Sequence, residues 1–162
     1  MPSRHRASDP TAPPHPAADG LWRRAMSEGN EAYRRHDDAA AMACYRRALA
    51  LAQADERAWS GHDARLAALV VSAHNLADLH LRRAEAGQAG RCLADAHLRL
   101  AAIAAAPGRP DDERLAAQRQ GRCTYAELLR FLQRHPDQSD AARAAAVFID
   151  YRIDSPDSGR TH

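Results

Sequence analysis

The sequence contains no lysine, so arginine supplies all 23 of its basic residues. It also has few aromatic residues: they make up 5% of the chain, whereas hydrophobic residues make up 45%. A core built from this composition must consist mainly of Ala and Leu, and Ala has the highest intrinsic helix propensity. Strand-forming Val, Ile and Thr are scarce as well. The composition therefore argues against a sheet-based domain and favours helices packed on helices.

The chain also lacks an excess of one charge, because 23 basic residues face 21 acidic ones. A net charge of +2 predicts neither a nucleic-acid partner nor a membrane partner. No apolar segment approaches the roughly 18 residues of a membrane-spanning helix, and no secretory signal is visible at the N-terminus. The spacing of Cys44, Cys92 and Cys123 matches no zinc or disulfide pattern, which favours reduced thiols. We therefore expect a cytoplasmic protein.

Sequence motifs that carry catalysis are missing too, since there is no phosphate-binding glycine loop and no nucleophile elbow. The nine histidines invite a metal-binding interpretation. His74 and Asp78, four residues apart, would share a helix face and could offer two ligands. No third ligand can be placed beside them, and His80 occupies an inward-pointing position that is typical of a packed core residue. We accordingly expect no catalytic residue, no metal and no cofactor.

Composition divides the chain into three parts. Residues 1–18 hold five prolines among small polar residues, and residues 154–162 are similarly polar, so both segments are predicted to be disordered. Residues 19–153 show apolar residues at three- and four-residue steps between short breaks, which predicts antiparallel helices joined by short loops. A helical turn is expected around Trp59. About seven helices are predicted, over residues 21–35, 38–54, 63–86, 88–105, 110–120, 124–135 and 139–152.

Local signals set several of these boundaries. Asp19 is a candidate cap of the first helix, and Gly87 is a candidate terminator of the third. Gly121 is expected to end the fifth helix. Thr124 and Glu127 have the spacing of a capping box, which predicts that a sixth helix starts there.

Two stretches of the helical part share one spacing of small and large residues. In each, a small residue is followed twelve residues later by Ala, sixteen later by a large residue and nineteen later by Ala. The two sets are Gly29, Ala41, Tyr45 and Ala48, and Ala77, Ala89, Leu93 and Ala96. Small residues at these positions let two antiparallel helices touch, and the large residue fills the space beside them. The spacing resembles the consensus of the tetratricopeptide repeat (TPR) family over about residues 22–55 and 70–103.

The resemblance implies an all-α, TPR-like α-solenoid of antiparallel helix pairs. Residues 111–136 would form a third, degenerate repeat with Ala126 as its small residue, and the helix at 139–152 would be a C-terminal cap. In TPR proteins the first helix of each pair lines a concave groove that receives an extended peptide or a partner helix. The groove residues implied by the resemblance are Arg23, Met26, Asn30, Tyr33, His74, Asn75, Asp78 and Arg82.

The function implied is that of a protein–protein interaction module, an adaptor or scaffold whose partner is another protein. Asn30 and Asn75 stand where TPR co-chaperones place two asparagines that hold a C-terminal carboxylate, but Met26 stands where those proteins have a lysine. This departure argues against an acidic chaperone tail as the ligand. Two different functions also remain compatible with the sequence. One is a chaperone of bacterial secretion, which has a similar architecture, and the other is a nucleic-acid-binding regulator that uses arginine pairs such as Arg34 and Arg35.

Overall fold

The computed structural model describes residues 18–147, and this range is all-helical with no strand. Its elements are α1 (Ala18–Arg34), α2 (Asp38–Gln53), a 3-10 turn (Glu56–Ala58), α3 (His62–Arg82), α4 (Ala86–Ala105), α5 (Asp111–Arg134) and α6 (Ser139–Ala145). The predicted disordered segments, 1–18 and 154–162, lie outside the described residues except for Ala18, which is the first residue of α1. The end of the predicted helix 139–152 lies outside them as well.

Each helix packs against the next one along the chain, and the helices form two layers. Tyr45 of α2 is hydrogen-bonded to Asn30 of α1, and Arg47 is paired with Glu28, so α1 and α2 are antiparallel. One layer holds α1, α3 and α5, because α3 contacts both of the others. In the other layer α4 contacts α6. The short connections predicted this antiparallel pairing.

The small residues predicted to lie between paired helices are buried. Gly29 lies closely against the partner helix, because a Cβ atom built on it would lie 2.6 Å from Cε1 of Tyr45. The buried small residues are Gly29, Ala41, Ala48, Ala77, Ala89 and Ala96. The large residues of the same spacing, Tyr45 and Leu93, are buried as well. All eight residues are therefore buried, as the predicted spacing requires.

The long connection between α2 and α3 is ordered by Trp59. Its indole is buried and donates from Nε1 to the carbonyl of Leu51 at 3.2 Å. Asp19, which was predicted to cap α1, instead lies inside that helix and accepts from the backbone N–H of Ser60 at 3.0 Å and from its hydroxyl at 2.5 Å. The cap prediction is wrong because this carboxylate is used to hold a loop distant in sequence.

The predicted fifth and sixth helices are one continuous helix, α5, so the described residues contain six α-helices rather than seven. Gly121 does not end a helix but is buried within α5. Thr124 is not a cap, because its buried hydroxyl donates to the Gly121 carbonyl at 3.0 Å and lies 2.8 Å from Nδ1 of His97 on α4. Packing against α4 thus overrides the local capping signal.

Gly87 does not terminate the third helix either. α3 ends four residues before the predicted boundary, at Arg82, and Gly87 lies in the first turn of α4. The turn between the helices uses Ala84 with a φ of 60°, and the Glu85 N–H closes it by donating to the His80 carbonyl at 2.8 Å. Alanine therefore takes the left-handed position for which glycine was expected.

Candidate functional site

The eight residues implied by the TPR resemblance lie on α1 and α3, the two helices that share a layer, but they occupy different environments. Arg23 is exposed to solvent. Met26 is 6% exposed and packs in the core, with Sδ 3.8 Å from the hydroxyl of Ser72. The assignment of Met26 as a partner contact is therefore wrong, because α3 covers the face of α1 on which Met26 lies.

Asn30 and Asn75 are brought together across the α1–α3 boundary. The Oδ1 atom of Asn30 accepts from the hydroxyl of Tyr45 at 2.8 Å and from Nδ2 of Asn75 at 3.2 Å. The two asparagines thus bond to each other, and Asn30 also bonds to the hydroxyl of the buried Tyr45 on α2. Both acceptor sites of the Asn30 oxygen and one N–H of Asn75 are used inside the protein, which gives them a role in holding the layer together.

Tyr33 and Arg82 form a second link across the same boundary. The guanidinium of Arg82 lies over the Tyr33 ring, 3.7 Å from its centroid, and Nη1 donates to the Tyr33 carbonyl at 2.7 Å. Nη2 is ion-paired with Asp38 at the start of α2. Because the arginine is stacked and paired at once, its planar head is held in one orientation. Arg82 of α3 therefore links its own helix to both α1 and α2.

His74 and Asp78 lie further along the same layer, where α3 faces α5, and they line a cavity of about 220 Å³. α3 and α5 run in the same direction, since Arg65 pairs with Glu113 near the start of both helices and Asp78 shares the cavity with Phe131 further along both. The remaining lining combines apolar side chains of α3, α4 and α5 with Glu127 and Arg134 of α5. The cavity is lined by His74, Ala77, Asp78, Leu81, Leu93, Glu127, Phe131 and Arg134.

Burial shapes the charges of this cavity. Desolvation lowers the pKa of His74, although the carboxylates of Glu127 and Asp78 oppose the shift, so the imidazole is neutral at pH 7. Desolvation likewise raises the pKa of Asp78, with a smaller contribution from Glu127, against the effects of His74 and Arg134. The Nε2 atom of His74 is buried without a hydrogen-bond partner in the described part of the chain. A half-buried imidazole with one unpartnered nitrogen and an exposed carboxylate therefore lie side by side at the cavity.

A second polar cluster, which sequence reasoning missed, lies between the first turns of α3 and α5, at the opposite end of that helix pair from the cavity. Glu113 is 0% exposed, and its Oε1 atom accepts from Nη2 of Arg65 at 2.7 Å and from Nη1 of Arg109 at 3.0 Å. Arg109 also donates to Glu56 at 2.9 Å. A signal was available in the sequence, because Glu113, Ala116 and Ala117 have the spacing of one buried helix face. This network links the 3-10 turn, α3 and the start of α5.

Three possible metal ligands occur in that network. Glu56, His62 and Glu113 each offer one ligand atom, and these atoms lie within 4.8 Å of one another. Arg65 and Arg109, however, donate to the same Glu113 carboxylate, and two guanidinium groups at this distance would repel a cation. The ion pairs therefore account for the cluster without a metal.

Three further observations bear on the sequence predictions. Cys44, Cys92 and Cys123 are free, and burial raises the pKa of the Cys92 thiol. Among residues 18–147 no helix is both long and apolar enough to cross a membrane. His80 is buried, as its inward-pointing position predicted, and its Nδ1 atom lies 2.6 Å from the carboxylate of Glu85.

Comparison with known proteins adds a family but no described function. No curated protein and no solved structure shows significant similarity to the chain. A family model described as "Protein of unknown function (DUF2753)" matches residues 20–152. This range is most of the sequence and covers the described helices except for the first two residues of α1. The chain therefore belongs to the DUF2753 family.

Proposed function

We propose that this protein is a protein-interaction module, built as a TPR-like solenoid, that binds a segment of another polypeptide along the layer formed by α1, α3 and α5. The observation that carries the proposal is the cavity of about 220 Å³ between α3 and α5. Its lining combines four ionisable side chains with four apolar ones, and two of the ionisable side chains, His74 and Asp78, make no hydrogen bond or ion pair within residues 18–147. Sites that accept a side chain of a ligand have this mixture.

The rest of the layer supports the proposal by its rigidity. The hydrogen bond between Asn75 and Asn30 and the stacking of Arg82 on Tyr33 hold α3 against α1. A surface whose side chains are already ordered loses little conformational entropy when it binds, so a modest number of contacts suffices for measurable affinity. The contacts between α1 and α3 would thus fix the geometry of the layer, and the cavity between α3 and α5 would make the selective contact with the bound polypeptide.

The repeated helix pairing also favours a binding role over an isolated pocket. In a stack of helix pairs, the helices of one layer form a continuous surface that can follow an extended or helical ligand. The small residues that are buried in α1 and α2 have counterparts that are buried in α3 and α4, with Gly29 and Ala77 in corresponding positions of the sequence spacing. α1 and α3 are thus the first helices of two similar pairs, and they lie next to each other in one layer.

A blocking substitution with a matched control tests the proposal. Asp78→Trp would place an indole in the mouth of the cavity, whereas Asp95→Trp makes the same change at an exposed position of α4. Randomised 12-residue peptides displayed on phage are selected against the wild-type full chain, and the dissociation constants of enriched peptides are measured by fluorescence anisotropy. We expect Asp78→Trp to weaken binding at least tenfold and Asp95→Trp to change it less than twofold.

Circular dichroism and the thermal midpoint of each variant ensure that loss of binding is not loss of fold. Two results would refute the proposal. One is a selection that enriches no peptide with a dissociation constant below about 100 μM, equivalent to about −5.5 kcal/mol. The other is a set of peptides whose binding Asp95→Trp blocks and Asp78→Trp leaves intact.

A further inference from the structure

We propose that an exposed apolar face of α5 is the docking surface for residues 148–153, the segment of this chain that directly follows the last described residue. This α5 outer face consists of Leu115, Tyr125 and Leu129, which are 53%, 37% and 41% exposed. It lies on the side of α5 away from the cavity with α3, so the inference goes beyond the proposed function and does not depend on it.

The position of the α5 outer face follows from helix geometry. Glu127, Phe131 and Arg134 line the cavity and therefore mark the side of α5 that faces α3. With 3.6 residues per turn, the three residues of the outer face fall within one arc of about 80°, roughly opposite that side. Helices α4 and α6 also pack against α5, yet each of the three side chains keeps more than a third of its surface exposed. A stack of helices that ends in such a stripe needs another segment to cover it.

The described chain ends beside this face. The Val147 carbonyl accepts a hydrogen bond from Nε2 of His97 at 3.2 Å, and the His97 ring lies 6.2 Å from the Tyr125 ring between centroids. Val147 and Leu98 are 38% and 41% exposed and line one groove of about 430 Å³ between α4 and α6. Three partly exposed apolar side chains, those of Leu98, Tyr125 and Val147, thus surround the point from which residue 148 continues.

The direction of the chain leads along the α5 outer face. A Cβ atom built on Gly90 of α4 would lie 3.7 Å from Cβ of Ala141, at the start of α6. Val147, at the end of the described chain, bonds to His97 two turns further along α4, so α6 runs in the same direction as α4. Because α5 is antiparallel to α4, the chain beyond Val147 is directed towards the first half of α5, where Leu115 lies.

The length and composition of residues 148–153 suit this path. Their sequence is Phe-Ile-Asp-Tyr-Arg-Ile, in which four of the six side chains are hydrophobic. Six residues span at most about 20 Å when extended, and Tyr125 and Leu115 are about 15 Å apart along α5. The family match continues through residue 152, so the pattern of the family includes most of this segment. Since the segment is covalently attached at the edge of the face, its docking costs less entropy than that of a separate chain.

Nuclear Overhauser spectra of the full chain test the contact directly. We expect cross-peaks between the aromatic rings of the segment and the leucine methyl groups around the face, that is, between Phe148 or Tyr151 and Leu98, Leu115 or Leu129. Isotope-filtered spectra of an equal mixture of labelled and unlabelled protein distinguish contacts within one chain from contacts between two copies. Sedimentation over a hundredfold range of concentration gives the oligomeric state of the same samples.

A substitution with a matched control tests whether the face is covered. Leu115→Asp places a carboxylate on the α5 outer face, and Leu21→Asp makes the same change at a leucine that is 42% exposed near the start of α1. Under a docked segment the carboxylate would lose water, so Leu115→Asp should lower the melting temperature by at least about 4 °C more than Leu21→Asp. Leu115→Asp should also weaken the cross-peaks of Phe148 and Tyr151, whereas Leu21→Asp should leave them unchanged.

Three results would overturn the inference. One is a folded full chain whose spectra show no cross-peak between residues 148–153 and the face. Another is an equal change of melting temperature in the two variants. The third is a set of cross-peaks that join two copies, together with a dimer that Leu115→Asp dissociates, because a second copy would then be the occupant. Peptide binding at the cavity between α3 and α5 is measured separately and stands or falls independently of these results.

Discussion

The contact between Gly29 of α1 and Tyr45 of α2 makes the helix-pair register testable. A Cβ atom on Gly29 would lie 2.6 Å from Cε1 and 2.8 Å from Cδ1 of Tyr45, and 3.1 Å from Cβ of Cys44. The ring cannot easily move aside, because it is 2% exposed and its hydroxyl is held by Asn30. Gly29→Ala therefore adds a methyl group to a space that is already full.

The expected magnitude follows from two opposing effects. Overpacking a core by a methyl group costs about 1–3 kcal/mol, and exchanging glycine for alanine within a helix gains about 0.5–1 kcal/mol. Gly20→Ala, in the same helix, is the control, because nothing lies within 4 Å of the added atom. The two variants should differ by the overpacking cost, which corresponds to a melting-temperature difference of roughly 2–12 °C for a chain of this size.

The second helix pair suggests the compensating change. Ala77 occupies the position that corresponds to Gly29, and Leu93 occupies the position that corresponds to Tyr45. The second pair thus has Ala in place of Gly and compensates for the added methyl group with Leu in place of the bulkier Tyr. In a Tyr45→Leu background, Gly29→Ala should be neutral or slightly stabilising. Urea unfolding of the four proteins of this double-mutant cycle should give a coupling of about 1–3 kcal/mol. Equal stability of Gly29→Ala and Gly20→Ala, or a coupling near zero, would show that the register is misplaced.

Two further predictions concern buried charge and acid. Glu113→Gln should lower the free energy of unfolding, measured by urea titration, by about 3 kcal/mol, because it leaves the buried Arg65 with only the more distant Glu56 as a counter-charge. Asp112 is exposed in the same turn, and Asp112→Asn should lower it by less than about 0.5 kcal/mol. Equal effects of the two substitutions would contradict the network. Burial lowers the pKa of His97 below 6.5, so the unfolded chain takes up this proton first and stability should fall as the pH drops below about 6.5. His97→Gln should reduce the loss in urea midpoint between pH 7.5 and 5, while His36→Asn, at an exposed turn, should retain all of it; an unchanged loss in His97→Gln would place the proton uptake elsewhere.

Helix positions and their pairing could be predicted because they depend on neighbours in sequence. Apolar side chains at three- and four-residue steps define a buried face wherever the helix packs. Ala41 and Ala48 follow Gly29 at a spacing that is repeated after Ala77 by Ala89 and Ala96. All six residues are buried, as that spacing required. The helical turn expected near Trp59 is likewise present, as the 3-10 turn Glu56–Ala58.

The errors occur where a local signal competes with a distant contact. Thr124 has the spacing of a cap but is used to bridge α5 to His97 on α4. Asp19 has the chemistry of a cap but holds Ser60, forty-one residues away in sequence. In both places a hydrogen bond to a residue far along the chain satisfied a polar group that sequence reasoning had assigned to the nearest backbone.

By itself the sequence determined an all-helical chain whose first two helix pairs meet at alanine and glycine, because helix periodicity and side-chain volume are local properties. Tertiary structure alone decided which polar side chains are left without a hydrogen bond inside the protein. Asn30, Asn75 and the two terminal nitrogens of Arg82 bond to neighbouring helices, whereas Nε2 of His74 and the carboxylate of Asp78 make no hydrogen bond within residues 18–147. The physical reason is that a polar side chain forms hydrogen bonds and ion pairs with the groups of whichever helix lies beside it. The spacing of residues along one helix does not reveal which donors and acceptors the neighbouring helix carries.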